Sequence, residues 1–145
     1  MSIDLAYPIV AFAKNGMMYL ARNANDLVIC SRLGWISGFY NGLTVVDCSG
    51  SQILIKEARK VGTVGILWGL SFTYGQRIRV ELIGEVYGKL SMELFREKVL
   101  GQLKKDKHFW NAGGNLESIF TRMKSANSHE EIINYMTEAY YSESR

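Results

Sequence analysis

The spacing of hydrophobic residues changes once along the chain, from alternation in the first two-thirds to helical spacing in the last third. Residues 77–86 show the clearest alternation. The apolar side of this predicted strand carries Ile78, Val80, Leu82 and Val86. The polar side carries Arg77, Arg79, Glu81 and Glu85. A strand with one dry and one wet face is typical of an antiparallel sheet.

Other strands are predicted before this one. Asn15-Gly16 is a hairpin turn signal that would join residues 7–13 to residues 17–21. Residues 26–32 carry apolar groups on both faces, which predicts a central strand. The remaining predicted strands are 43–47 and 51–58; in the latter, Ile53 and Ile55 face one way and Gln52, Leu54 and Lys56 face the other.

Three amphipathic helices are predicted after Ser91. Ser91, Asn115 and Ser128 are suitable N-caps, and Ser128 with Glu131 fits a capping box. The apolar stripes are Met92, Phe95, Val99 and Leu103, then Leu116, Ile119, Phe120 and Met123, then Ile132, Ile133, Met136 and Tyr140. Strands followed by helices predict an α+β fold, in which the strand-rich first two-thirds form one antiparallel sheet and about three C-terminal helices pack on one face.

Composition limits the class of protein. The chain has 145 residues, of which 48% are hydrophobic and 21% charged, and this predicts one globular domain over residues 1–145. The net charge of +3 is too small and too dispersed to predict nucleic-acid binding. No secretory signal or run of membrane-spanning length is apparent, so we expect a cytoplasmic protein that does not bind membranes. Cys30 and Cys48 should then be reduced thiols.

Asp47 and Cys48, in the run LTVVDCSGSQILI, are the residues that most resemble an active site. A cysteine nucleophile needs a lowered pKa and a base within hydrogen-bond reach. His108 and His129 are the two histidines, and one lies between predicted helices and the other in the capping box. Turn residues surround Cys48, so the pattern favours a strand end entering a hairpin, with Cys48 as a small apolar filler.

Metal and cofactor motifs are also missing from the sequence. The histidines and cysteines lack the close pairs of a zinc site, and no acidic cluster has calcium-loop spacing. The glycine-rich run 62–69 fits neither phosphate-loop motif and is interpreted as a connection between strands. We therefore expect no catalytic residue, no metal and no cofactor, and a protein that is not an enzyme.

Two groups of residues are predicted to contact a protein partner. Tryptophan, tyrosine and arginine dominate binding hot spots, and they occur close together as Trp68, Tyr74, Arg77 and Arg79. The last helix is acidic and lacks Lys and Arg from Ser128 to Ser144. Its predicted contact residues are Glu130, Glu131 and Glu138. A solvated helix face is the usual explanation for such carboxylates. The alternative is an acidic surface that would steer a basic partner.

A resemblance to a class of bacterial proteins agrees with this interpretation. The runs LTVVDCSG, KVGTVGILWG, RIRVEL, FREKVLGQLKKDKHFW and SHEEIINYM occur in this order. Together they resemble small compact α+β bacterial proteins of unassigned role, some of which are immunity proteins. The resemblance implies a non-catalytic module that neutralises a cognate toxin by occluding its active site, and it assigns no residue a role. The mildly basic charge argues against a basic nuclease as the target, because an inhibitor of such an enzyme should be acidic.

Two other interpretations remain open from the sequence. The first is a small enzyme or ligand-binding domain with a pocket between sheet and helices, where Cys48, His108 and Arg77 converge. This interpretation predicts a deep polar pocket and a reactive thiol. The second is a homodimer formed through an exposed strand edge or through the last helix.

Overall fold

A computed structural model describes residues 4–14, 17–64, 77–110 and 116–143. The strands are β1 (Ile9–Phe12), β2 (Met18–Ala21), β3 (Ile29–Ser31), β4 (Thr44–Val46), β5 (Ser51–Thr63) and β6 (Arg77–Lys89). The helices are α1 (Ala24–Val28), α2 (Arg32–Ile36), α3 (Met92–Lys105), α4 (Lys107–Trp110), α5 (Leu116–Ser125) and α6 (His129–Glu143). The predicted α+β fold is confirmed, with the sheet in the first two-thirds and the main helices after it.

The described strands form one antiparallel, curled sheet in the order β2-β1-β4-β5-β6-β3. The predicted hairpin of β1 and β2 is confirmed, with Phe12 paired to Met18, although its turn at Asn15-Gly16 lies outside the described residues. The two edge strands, β2 and β3, are joined in sequence by the five-residue helix α1. The short link holds the two edges of the sheet near each other.

Helices α3, α5 and α6 pack on one face of the sheet, as predicted. Their apolar stripes share a cluster with alternate residues of β1, β2 and β4, and Trp110 of α4 is also buried there. The sheet residues of this cluster are Val10, Phe12, Met18, Leu20 and Val46. Burial of these side chains supplies the main hydrophobic stabilisation on this side.

The opposite face of the sheet is also buried, because the sheet curls around a second cluster. Its members include Ile9, Ala11, Val45, Ile53, Ile55, Ile78, Val80 and Leu82. Leu27 of α1 and Tyr40 of the connection after α2 complete this cluster. The central strands β1 and β4 are therefore covered on both faces, which explains their continuous hydrophobic runs.

The predicted central strand over residues 26–32 is wrong. Residues up to Val28 form α1, and β3 is a short edge strand that pairs with β6 alone among the described strands. The Asn23 side chain accepts a hydrogen bond from the Asp26 amide at 3.1 Å, and Asp26 pairs with Arg22 at 2.9 Å. These local side-chain acceptors give backbone amides hydrogen-bond partners at the start of the helix, which favours the helix over a strand.

The predicted alternation in β6 is confirmed for Ile78, Val80 and Leu82, which are buried, and is wrong for Val86, which is 66% exposed. The last five residues of the strand, Glu85–Lys89, are all exposed. The register against β5 shifts between Gln52 and Ile53. These two adjacent residues pair with Gly88 and Val86, so Tyr87 between them is left out of the pairing. A further register shift lies between Ile55 and Glu57, opposite Gly84 and Ile83. Alternation counted from Ile78 therefore does not carry over to Val86, which lies on the far side of this irregularity.

The predicted helix starts are confirmed where the structure describes them. The amide of Leu94 donates to Oγ of Ser91 at 3.2 Å. The amide of Glu131 donates to Oγ of Ser128 at 3.1 Å, and Oε2 of Glu131 accepts from the Asn127 amide at 2.9 Å. This is the capping box expected from the sequence, with the returning bond made one residue earlier. The third predicted cap, Asn115, lies outside the described residues.

Candidate functional sites

Asp47 organises the turn between β4 and β5. Its side chain is buried, and Oδ1 accepts from the amides of Ser49 and Ser51 at 3.0 and 3.1 Å and from the Ser49 hydroxyl at 2.6 Å. Oδ2 accepts from the amide of Ala6 at 3.2 Å. The carboxylate thus ties the N-terminal segment to the turn. Its oxygens are used to fix the backbone, as in an Asx turn.

Cys48 has the environment of a structural thiol. Its Sγ donates to the carbonyl oxygen of Pro8 at 3.1 Å. Burial raises the pKa of the thiol to about 11, and the negative charges of Glu130 and Asp47 add to the shift. A cysteine nucleophile requires the opposite shift, because the thiolate is the reactive form.

Neither histidine is placed as a base for Cys48. Nε2 of His129 lies 2.7 Å from the carbonyl oxygen of Leu90, and its ring stacks on Phe95 with centroids 5.3 Å apart. His108 is exposed on α4. Arg77 begins β6, whereas Cys48 lies near the far end of that strand, where Lys89 donates to the Ser49 carbonyl at 2.9 Å. The structure does not bring Cys48 and Arg77 together.

The first predicted contact group is only partly described. Trp68 and Tyr74 lie outside the described residues. Arg77 and Arg79 are exposed at the start of β6, and Nη1 of Arg79 donates to Oδ1 of Asn25 at 3.0 Å. Arg79 thus contacts α1, whereas the charge of Arg77 acts on the Cys30 thiol of β3.

The acidic group on α6 divides into two kinds of residue. Glu130 and Glu138 are exposed, and Glu138 lies 3.4 Å from Nη1 of Arg122. Glu131 is committed to the capping box.

α6 starts beside Leu90, eleven residues along the chain from Arg79, which corresponds to roughly 36 Å of extended strand. The acidic residues at the start of α6 and the two arginines therefore do not form one surface.

Three exposed apolar side chains occur close together in the sequence, where β6 leads into α3. Val86 is 66% exposed, Tyr87 is 60% exposed, and Leu94 in the first turn of α3 is 57% exposed. We call these three residues the free-edge surface, because within the described ranges the end of β6 has only β5 as a strand neighbour. Sequence reasoning missed it by assigning Val86 to the core. Gly84 and Gly88 within the strand were the available signal, since strand glycines mark bulges.

A cavity of about 360 Å³ lies between the two edges of the sheet, and sequence reasoning missed it as well. It is bounded by β2 and β3, which no described backbone pairing joins, and by α1 and the end of α6. Its lining residues include Tyr19, Phe39, Tyr40, Tyr140 and Tyr141. The aromatic residues come from three separate parts of the chain, so no local sequence motif could reveal the cavity.

Comparison with protein-family models, curated proteins and solved structures finds no match to this chain. Across the described ranges, no group of three or more His, Cys, Asp or Glu residues could hold a metal ion. No helix within those ranges is both long enough and apolar enough to cross a membrane.

Proposed function

We propose that this protein is a non-catalytic protein-binding module that docks its partner on the free-edge surface. The observation that carries the proposal is the end of β6, where five consecutive exposed residues, Glu85–Lys89, include both Val86 and Tyr87. Exposed apolar residues that are grouped, as opposed to scattered, mark interaction sites. Leu94 extends the same apolar character into α3.

The free strand edge supplies the second part of the binding mode. An extended segment of a partner can add to a strand edge, where main-chain hydrogen bonds give affinity and side chains give specificity. Among the described residues, no strand pairs with β6 on the side away from β5 after Arg79. Lys56 and Glu85, whose charged groups lie 2.7 Å apart, form a polar rim beside the apolar residues. An apolar centre with a charged rim is the usual anatomy of an interface.

The partner class that we propose is a cognate toxin domain, neutralised by occlusion of its active site. The support for this class is the resemblance of the chain to immunity-type proteins, and the environment of Cys48 agrees with a role that needs no nucleophile. Arg77 and Arg79, exposed at the other end of the β5–β6 hairpin, are the alternative contact, and the variants below distinguish the two ends. We place the protein in the cytoplasm, which is supported by the two free thiols of Cys30 and Cys48.

A pull-down with matched variants tests the proposal. The tagged protein and its variants Val86→Asp and Val61→Asp are incubated with lysate of the source organism. Val61 is the matched control, because it is also a strand valine, is 56% exposed, and lies at the opposite end of the hairpin. Burying an unpaired carboxylate at a hot spot should weaken binding by about 2 kcal/mol or more, roughly 30-fold.

The outcomes separate the two ends of the hairpin. A near-stoichiometric partner that Val61→Asp retains and Val86→Asp loses supports docking on the free-edge surface. Loss of the partner with Val61→Asp alone would show that the contact lies at the end of the hairpin that carries Arg77 and Arg79. A captured protein that both variants retain equally would count against binding through either end. Circular dichroism of each variant verifies that the fold is unchanged.

A further inference from the structure

We propose that the cavity between β2 and β3 is a binding site for a small uncharged aromatic molecule. This site is separate from the free-edge surface, and its occupation does not depend on the function proposed above. The cavity exists because the curled sheet does not close. β2 and β3 approach each other, but the described backbone shows no pairing between them, and the five residues of α1 bridge only one part of the gap.

The floor and walls of the cavity are apolar and aromatic. Ile9 and Ala11 of β1 and Leu27 of α1 contribute aliphatic surface from the second core cluster. The ring of Phe39 meets those of Tyr19 and Tyr40 edge to face, with centroids 4.9 and 5.0 Å apart. An inserted ring could therefore meet either aromatic faces or aromatic edges, and offset or edge-to-face pairs add to the energy of burial.

Residues from the end of α6 form the opposite wall. Tyr140 and Tyr141 both line the cavity, and their rings are 5.2 Å apart and nearly perpendicular. The Tyr141 hydroxyl donates to the carbonyl oxygen of Leu20 at 2.8 Å, which holds this helix end against β2. The wall is thus fixed to the sheet before any ligand binds, and such preorganisation reduces the entropy that binding costs.

The carboxylate in the cavity lining already has a cationic partner from the protein, which disfavours a cationic ligand. Asp26 is the acidic residue in the lining, and its Oδ2 lies 2.9 Å from Nε of Arg22. The same oxygen also lies 3.1 Å from the Tyr141 hydroxyl. The guanidinium of Arg22 lies 3.8 Å from the centre of the Tyr141 ring. The protein's own cation therefore already occupies the carboxylate and one aromatic face that an organic cation would use.

A single polar group on the ligand has a place to bind. The Tyr40 hydroxyl donates to the Leu27 carbonyl at 2.6 Å and also has a side-chain hydrogen bond with Cys30. A phenol oxygen has two lone pairs, so one remains to accept a hydrogen bond from a ligand. Burial raises the pKa of Tyr40 and that of the neighbouring Cys30, and both groups stay uncharged near neutral pH. The volume of about 360 Å³ is at the lower end of ligand pockets, which span roughly 300–1,000 Å³. One or two fused rings with one hydrogen-bond donor match these features.

Titration of the full chain with 2-naphthol tests the site. We expect saturable binding, detected by amide chemical-shift changes at Ala11, Cys30 and Phe39. Ala11→Leu adds side-chain volume inside the cavity and should weaken binding by about tenfold or more. Ala24→Leu is the matched control, because Ala24 is exposed on α1 and lines a different cavity. This variant should bind 2-naphthol like the natural chain.

Three results would overturn the proposal. The first is the absence of saturable shifts in the natural chain. The second is a failure to locate binding in this cavity. Either Ala11→Leu leaves the affinity unchanged, or the amide chemical-shift changes centre on Ala58 or Val80, which line other cavities. The third is tighter binding of phenyltrimethylammonium than of 2-naphthol, which would identify a cation cage. If Ala11→Leu fails to fold, the positions of the shifted amides in the natural chain decide the question.

Discussion

Gly84 of β6 lies directly against the backbone carbonyl of Leu54 on β5, so closely that a Cβ atom at position 84 would collide with it. The pairing of the two strands shifts register at this point, between Ile55 and Glu57. The shift brings the backbones of the hairpin together. A side chain could be accommodated only if the strands separated, since the colliding atoms belong to the main chain.

Gly84→Ala should therefore destabilise the protein by about 2–4 kcal/mol, in the range of severe overpacking. Urea unfolding followed by circular dichroism measures the change. Gly62→Ala is the matched control in the partner strand, because a Cβ atom added there would meet nothing within 4 Å and the φ of Gly62 is not in the left-handed region. That substitution should change the free energy of unfolding by less than about 1 kcal/mol. Equal effects of the two substitutions would contradict the close approach.

The Cys48 thiol should be unreactive at neutral pH. In a Cys30→Ser background, the rate of alkylation by iodoacetamide should rise with pH along a curve centred at a pKa of about 11. Because burial raises this pKa in the folded state, the contribution of the thiol to stability is complete below the ordinary value of 9.0 and is lost as the pH rises towards 11. The same curve measured in urea is the control. A midpoint below 9.0 in the folded protein would show an activated thiol and would support the enzyme interpretation.

The elements that the sequence predicted correctly are those whose signals are local. The start of α3 follows from Ser91 and a stripe of buried residues, and the start of α6 follows from the capping box of Ser128 and Glu131. Alternation predicted the buried face of β6 up to Leu82. In each case, the residues that fix the structure lie within one element.

The features that the sequence did not predict depend on distant residues. Exposure of Val86 follows a register shift in the pairing of β6 with β5, between Ile55 and Glu57, which the pattern of β6 alone does not reveal. The helix α1 is the exception, because its cap by Asn23 is a local signal that the apolar pattern of residues 26–32 outweighed in the prediction. The cavity depends on the strand order, which places β2 and β3 at opposite edges and brings α6 beside them. Periodicity contains no information about which edges a curled sheet brings together.

Asp47→Ala should lower the free energy of unfolding by about 1–3 kcal/mol, because the amides of Ser49 and Ser51 lose the buried carboxylate to which they donate. The amide of Ala6 loses its partner as well, so amide hydrogen exchange at Ala6 should become faster. Asp4→Ala is the control, since Asp4 is exposed. Unchanged exchange at Ala6 would show that the carboxylate does not tie the N-terminal segment to the turn.

Tyr141→Phe should release the end of α6 from the edge of the sheet. The substitution removes the hydrogen bonds of the Tyr141 hydroxyl to the Leu20 carbonyl and to Asp26, and we expect a loss of about 1–2 kcal/mol in thermal or urea unfolding. Tyr87→Phe is the matched control, because the Tyr87 side chain is 60% exposed and its loss of a hydroxyl should be nearly neutral.

A pH titration gives an independent test of the same contact. Burial, followed by the charge of Asp26, raises the pKa of Tyr141 to about 12 from its ordinary value of 10.0. The folded state therefore holds this proton more tightly than the unfolded state, and the resulting stability is complete below pH 10.0 and declines as the pH rises towards 12. Subtracting the ultraviolet phenolate titration of Tyr141→Phe from that of the natural chain isolates this residue. A difference curve centred near 10.0 would show that the hydroxyl is solvated and that α6 is not held at Leu20.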